Sequence, residues 1–354
     1  MADSSITTAI GMVHGAARLP AVDILSYSLE VRDEDGFLGD NANKGAFRDM
    51  LDDWRKALRR NGDDPFGKKP TGEIGKKTLE ALLVEGDPEA AGVVQGAIED
   101  FARELARVVG KFVELKSWKG MERLVIGGGF RDSRIGELAI GRASVILKSK
   151  GTGIEVRPIR HAPDVAGLIG AVHLAPSWMF KGHDAVLAAD IGGTNMRAGL
   201  VLLNLKGAGD LAKADVAKYE LWRHVDDEPT RDEAVEELAA MLAKLLAYAD
   251  KEGQKVPPFV GIGCPGRIDD DGAIDRGAQN LPGNWASKGF NLPAALHEAL
   301  PKIGKHDTTV LLHNDAVVQG LSEVPFMQDV ERWGILTIGT GLGNASFANR
   351  NRDD

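Results

Sequence analysis

The chain has 354 residues, 43% hydrophobic and 27% charged, the balance of an ordinary globular protein and long enough for two hydrophobic cores. Its net charge of −9 argues against a general nucleic-acid binder, and its single cysteine, Cys264, excludes a disulfide framework and any cysteine-based zinc cluster. No stretch approaches 18 apolar residues, and the first residues lack a basic start followed by a long apolar run, so a cytoplasmic protein without a membrane segment is expected.

Along the chain, the first distinctive feature is basic. Between Trp54 and Lys77 eight Lys and Arg face only Asp63, Asp64 and Glu73, which reads as a solvated helix face and loop. Residues 61–77, rich in Gly, Lys and Pro, form the expected long loop. From Pro88 onward, Val94, Ile98, Phe101, Leu105, Val108 and Phe112 recur at helical steps and give one apolar stripe, with Asp87 as N-cap. The run RLVIGGG then predicts a buried strand ending in Gly127, Gly128 and Gly129, where an aromatic base or ribose can lie against bare backbone. Residues 164–175, DVAGLIGAVHLA, have the small-residue pattern of a helix packed closely against a sheet. Further strands are read in AVLAADIGG, FVGIGCPG, TVLLHND and GILTIGTG. Between them a helix opens at Thr230 with Glu233 completing a capping box, and turns Val235, Leu238, Leu242, Leu245 and Ala249 inward. Strands interleaved with helices define an α/β class.

The most informative segment is VLAADIGGTNMRAGLVLLN. A strand delivers Asp190 to a turn containing Gly192 and Gly193, and a second strand leaves through Met196. Such glycines let backbone N–H groups reach phosphate oxygens, Thr194 adds a hydroxyl, and Arg197 can reach a phosphate. Asp190 is suited to hold Mg²⁺, directly or through water. Near the other end, GILTIGTGLGNASF offers the amides of Gly339, Gly341 and Gly343 and the Thr340 hydroxyl to phosphates.

These three glycine loops resemble the phosphate-1, phosphate-2 and adenosine motifs of the sugar-kinase/actin/Hsp70 superfamily, with wording similar to the ROK family that includes bacterial glucokinases. GIGCPGRIDDDGAIDRGAQNLPGNW and HNDAVVQGLSE resemble the stretch before that family's catalytic loop and the loop itself. The likeness runs over residues 83–347. It implies an α/β fold of two RNase H-like (actin-like ATPase) lobes around a nucleotide and sugar cleft. It further implies ATP- and Mg²⁺-dependent phosphorylation of a hexose, glucose first. The implied nucleotide-binding set is Asp190, Gly192, Gly193, Thr194, Asn195, Arg197, Gly339, Thr340, Gly341, Gly343 and Gly127–Gly129. Asp315 is the implied general base, with Gly266, Asn280, Asn314 and Asp315 around the sugar; Asn314 and Asp315 can also be read as a plain helix cap. The resemblance is compatible with a homodimer, and the sequence leaves the oligomeric state open. The alternative is a non-catalytic ROK-type sugar-sensing regulator, for which Arg55–Arg60 is a poor helix-turn-helix candidate. An actin-like or Hsp70-like ATPase has no motif of its own here.

Two features depart from that family. The adenosine motif precedes phosphate-1, and phosphate-2 comes last, which reads as a circular permutation, with a truncated or fused product as the alternative. The expected division is a large lobe over 1–162, a small lobe over 163–325, and residues 326–354 returning to the large lobe. The strand at 334–338 is then expected to pair with that at 123–126, and Asp190, Thr340 and Gly128 to line one cleft. The family's zinc-binding cysteine segment is absent, and its E-I-G-H sugar motif has only an echo in GEIGK, Glu73 to Lys76. Trp285, His313 and Cys264 are read as core residues.

Overall fold

The computed structural model describes residues 12–34 and 36–350. In chain order its main elements begin with strand β1 (Val22–Tyr27), then helices α1 (Lys44–Arg59), α2 (Lys76–Glu85) and α3 (Pro88–Glu114). Strand β2 (Arg123–Gly127), helix α4 (Arg134–Ser149), strand β3 (Glu155–Pro158) and helix α5 (Pro163–Ala171) follow. Next come strands β4 (Ala185–Ile191), β5 (Met196–Leu202) and β6 (Asp215–Trp222), helix α6 (Arg231–Lys251), strand β7 (Phe259–Cys264) and helix α7 (Leu292–Ala299). Strand β8 (Thr309–Asn314), helix α8 (Asp315–Leu321) and strands β9 (Arg332–Ile338) and β10 (Leu342–Asn349) complete the order. The protein is mixed α/β. Among the described residues no helix is long and apolar enough to cross a membrane.

The chain divides into two compact units. Of the described residues, the first unit takes those within Met1–Ser28, Asp164–Glu331 and Ala345–Asp354; the second takes Leu29–Pro163 and Arg332–Asn344.

In the first unit β8, β7, β4, β5 and β6 form a sheet in that order. β4, β5 and β6 make an antiparallel meander, and β7 and β8 add in parallel on the other side of β4. Central β4, AVLAADI, is buried at every position, as expected of a strand covered on both faces. One face packs Leu187, Ala189 and Ile191 against Leu238, Leu242 and Leu245 of α6. That helix has the predicted capping box between Thr230 and Glu233. On the other face α5 lies close to the sheet, because Gly199 and Gly261 leave room for Leu168 and the Ala171 carbonyl. Trp285, Cys264 and His313 are buried, as read from the sequence. β1 pairs antiparallel with the end of β10.

In the second unit β9, β2 and β3 run parallel in that order. The expected pairing of the 334–338 strand with the 123–126 strand is present, with Gly334 opposite Leu124 and Leu336 opposite Ile126. α3 buries its predicted stripe, and Asp87 caps it by accepting from the amides of Glu89 and Ala90. The basic stretch differs from a purely solvated face. Arg55 is fully buried, donating to Asp64, Thr71 and the carbonyls of Gly67 and Lys69, and it organises the 61–77 loop from inside.

Candidate active site

The first unit gathers its chemistry at the C-terminal ends of three parallel strands. Gly263 of β7 stands opposite Asp190 of β4 on one side and His313 of β8 on the other. With neighbouring strands about 4.8 Å apart, the backbones of Asp190 and His313 are roughly 10 Å from each other, and Asp315 follows two residues on. Strand ends of this kind are where open α/β sheets place ligands.

Asp190 is 7% exposed. Arg197, its partner across β5, sits 3.7 Å from its carboxylate and 2.5 Å from that of Asp164. The guanidinium expected to reach a phosphate therefore holds two carboxylates in this structure. Burial raises the Asp190 carboxyl above the usual range, against the pull of Arg197 and with a smaller push from Asp164. Asp315 is half-buried at the start of α8. Its carboxyl is pushed up to about 6, first by burial and then by the charge of Asp190, while the amides of Ala316 and Asp315 and the Asn314 side chain pull the other way. Buried Cys264 has its thiol raised by burial and by the same two carboxylates, so it stays protonated. Asp315 thus feels the charge of Asp190, while burial, Arg197 and Asp164 set the carboxyl of Asp190.

Asn314 is 1% exposed and its amide is fully engaged. It donates to Ser28 Oγ at 3.0 Å and the Gly266 carbonyl at 2.9 Å, and accepts from the amides of Ala316 and Val317. It caps α8 and aims Asp315, so the expected contact of Asn314 with sugar hydroxyls is replaced by a structural one. Gly266, at φ +107°, is fixed by the Arg276 carbonyl, 2.5 Å from where a Cβ would stand. Asn280 is exposed and adjoins the phosphate-1 turn: a Cβ on Gly193 would stand 2.8 Å from that of Asn280.

That turn closes with the Gly192 amide donating to the Asn195 carbonyl at 2.9 Å, and leaves Gly192, Gly193, Thr194 and Asn195 half-buried. His224, which the sequence reading passed over, lies 2.8 Å from the Gly192 carbonyl through Nε2 and braces the turn. A second omission is the segment before and within β1. Its Ala16 carbonyl lies 3.1 Å from His313 Nε2, the Asn314 amide donates to His313 Nδ1, and the Tyr27 hydroxyl donates to the Ile268 carbonyl. With Nδ1 accepting, Nε2 carries the proton of a neutral imidazole, and burial lowers the His313 pKa to about 4.

In the second unit the other two glycine loops are neighbours. Gly128, at φ +80°, faces Ile338 so closely that a Cβ would stand 2.5 Å from its backbone nitrogen. The Phe130 amide donates to the Ile338 carbonyl, and the Gly339 amide to that of Gly341. Gly127 and Gly128 are buried, Gly129, Gly339 and Gly343 half-buried, and Thr340 and Gly341 exposed. The first amide of α1, Lys44, donates to the Gly339 carbonyl at 3.0 Å. Lys76 Nζ donates to the carbonyls of Gly129 at 2.9 Å and Asp132 at 3.3 Å. The lysine of GEIGK therefore pins a glycine loop of its own unit, which accounts for that segment without a sugar role.

No family model matches the chain, and no curated protein matches it. Solved structures similar to it include a protein described as a sugar kinase from Cytophaga hutchinsonii, at 21% identity and TM-score 0.36 over 47% of this chain and 48% of that one. Others are a protein described as an N-acetylmannosamine kinase from Listeria monocytogenes (23%, TM-score 0.32, 47% of each chain) and the ROK hexokinase from Thermus thermophilus (27%, TM-score 0.31, 45% of each chain). The matches span about half the length of these proteins, and superpositions this loose carry no argument about activity.

Proposed function

We propose that this chain is an ATP- and Mg²⁺-dependent hexose kinase, with glucose the first candidate substrate and Asp315 the general base. The observation that carries the reading is the Asp190–Asp315 pair: two carboxylates at the ends of parallel strands, one half-buried with its pKa at about 6. A carboxylate tuned to that value is ionised at neutral pH yet basic enough to accept a proton from a sugar hydroxyl. Asn314 fixes its direction, and exposed Asn280, beside Gly193, offers both donors and an acceptor to sugar hydroxyls.

Mg²⁺ fits the residues present. The ion is usually held by one or two carboxylates plus substrate phosphates, and among the described residues no three His, Cys, Asp or Glu converge to make a closed protein cage. Asp190 is the carboxylate that would hold it, and Arg197 beside it opposes the upward shift that burial imposes. When bound, Mg²⁺ neutralises charge on the transferring phosphoryl group. Within the first unit the glycine turn at Gly192–Gly193, and within the second the neighbouring loops at Gly127–Gly129 and Gly339–Gly341, are each candidates for nucleotide contacts through bare backbone. The order of these motifs is read as a circular permutation, which the parallel pairing of β9 with β2 supports.

A coupled ADP-release assay across a panel of hexoses tests the reading. ADP release that depends on one hexose supports it. Hexose binding without turnover favours the regulator instead.

A further inference from the structure

We propose that a cavity at the opposite end of β4 from Asp190 binds a small phosphate-bearing molecule. The cavity measures about 1040 Å³ and is built wholly within the segment Asp164–Glu331, from the turn before β4, the loop joining β5 to β6, and Lys255 ahead of β7. Asp184 lines it, and at roughly 3.3 Å per residue of strand the six steps to Asp190 separate it from the candidate active site by about 20 Å.

Its charge runs against its surroundings. Asp164–Glu331 contains 25 Asp and Glu against 15 Lys and Arg, yet four of those cations, Lys181, Lys206, Lys213 and Lys255, line this one cavity. None of the four makes an ion pair among the described residues. The lining carboxylates, Asp184 and Asp215, accept from the backbone amides of Lys255 and Val216. Four ammonium groups against two carboxylates leave an excess of two positive charges, which matches a phosphate dianion. Those carboxylates suit hydroxyl groups on the same ligand.

A second observation is independent of charge. His183, in the same lining, has a buried Nδ1 with no hydrogen-bond partner. A buried polar atom left this way is destabilising unless a small rearrangement or a bound group satisfies it. Gly182 and Gly209 leave the lining backbone bare, which suits an anion site.

The test is residue-resolved lysine acylation, read by mass spectrometry on the full chain with inorganic phosphate, a hexose 6-phosphate or the unphosphorylated hexose. The phosphate-bearing probes should protect Lys206, Lys213 and Lys255 while Lys302 and Lys305 react as before, and the hexose alone should not. Stronger protection by the hexose phosphate identifies a phosphorylated metabolite as the natural source, and equal protection identifies free phosphate. By calorimetry, the exposed pair K206A/K213A should bind the protecting probe at least about tenfold more weakly, the loss expected for charge-assisted hydrogen bonds. Uniform protection of all lysines, no protection, or unchanged affinity in the double variant would overturn the proposal. Because the readout is binding at named lysines, it stands or falls separately from phosphoryl transfer.

Discussion

Gly167 meets Asp190 so closely that a methyl carbon on Gly167 would stand 2.6 Å from the Asp190 carboxyl carbon. Helix α5 thus lies directly over the carboxylate proposed to hold Mg²⁺, and a side chain at this position would have to displace it. Gly167→Ala is expected to destabilise the fold by about 1–3 kcal/mol, as overpacking does, and to raise the Mg²⁺ concentration needed for ADP release. Denaturant unfolding and an Mg²⁺ titration check both; a variant matching the parent in each would show that Asp190 has room to move.

The raised pKa of Asp315 has a consequence for stability. Between its ordinary value of 3.8 and about 6, the folded state holds a proton that the unfolded state releases, so this group favours folding less as pH rises through that window. Asp315→Asn should therefore be more stable than the parent above pH 6, by roughly 2–3 kcal/mol, the free energy of holding a carboxylate that far from its ordinary ionisation. Urea unfolding of both proteins at pH 4 and pH 7 measures this. A difference that does not grow with pH would remove the strained carboxylate from the account.

His313 has the opposite sign. Its folded pKa of about 4 lies below the ordinary 6.5, so the unfolded state takes up a proton first and stability is lost as pH falls from 6.5 towards 4. His313→Gln should flatten that acid loss, whereas Asp315→Asn should steepen it. Matching unfolding profiles over this range in parent and His313→Gln would contradict the neutral, buried imidazole.

Much of the scaffold was legible because its signals are local. The stripe of α3, the capping box of α6 and the apolar run into Asp190 each sit within one element, and each is found as read. Long-range partners carry no such mark. Nothing near Ser28 announces that its hydroxyl will accept from Asn314, 286 residues away, and an asparagine before an acid reads equally as cap or ligand. The eight basic residues of 54–77 gave no sign that Arg55 alone would be buried. β6 was missed because it is an edge strand whose residues are mostly exposed, and its pattern is that of a polar loop.

The last strands are a structural requirement on this reading. Ile335, Leu336 and Ile338 of β9 are fully buried, and β9 pairs with β2 from Trp333 to Thr337. Ending the chain at Trp333 would leave the β2 edge unpaired and an apolar face open. Loss of a cooperative thermal transition is expected by circular dichroism. A truncated chain that melts cooperatively near the parent's temperature would show β9 to be dispensable, and with it the permuted order.

The most direct test of the central claim is steady-state ADP release by the parent and Asp315→Asn on the preferred hexose, with sugar and nucleotide affinities measured alongside. The account predicts turnover lowered at least about 10²-fold, the scale of lost general-base help, with both affinities nearly unchanged. Near-normal turnover in Asp315→Asn would contradict it.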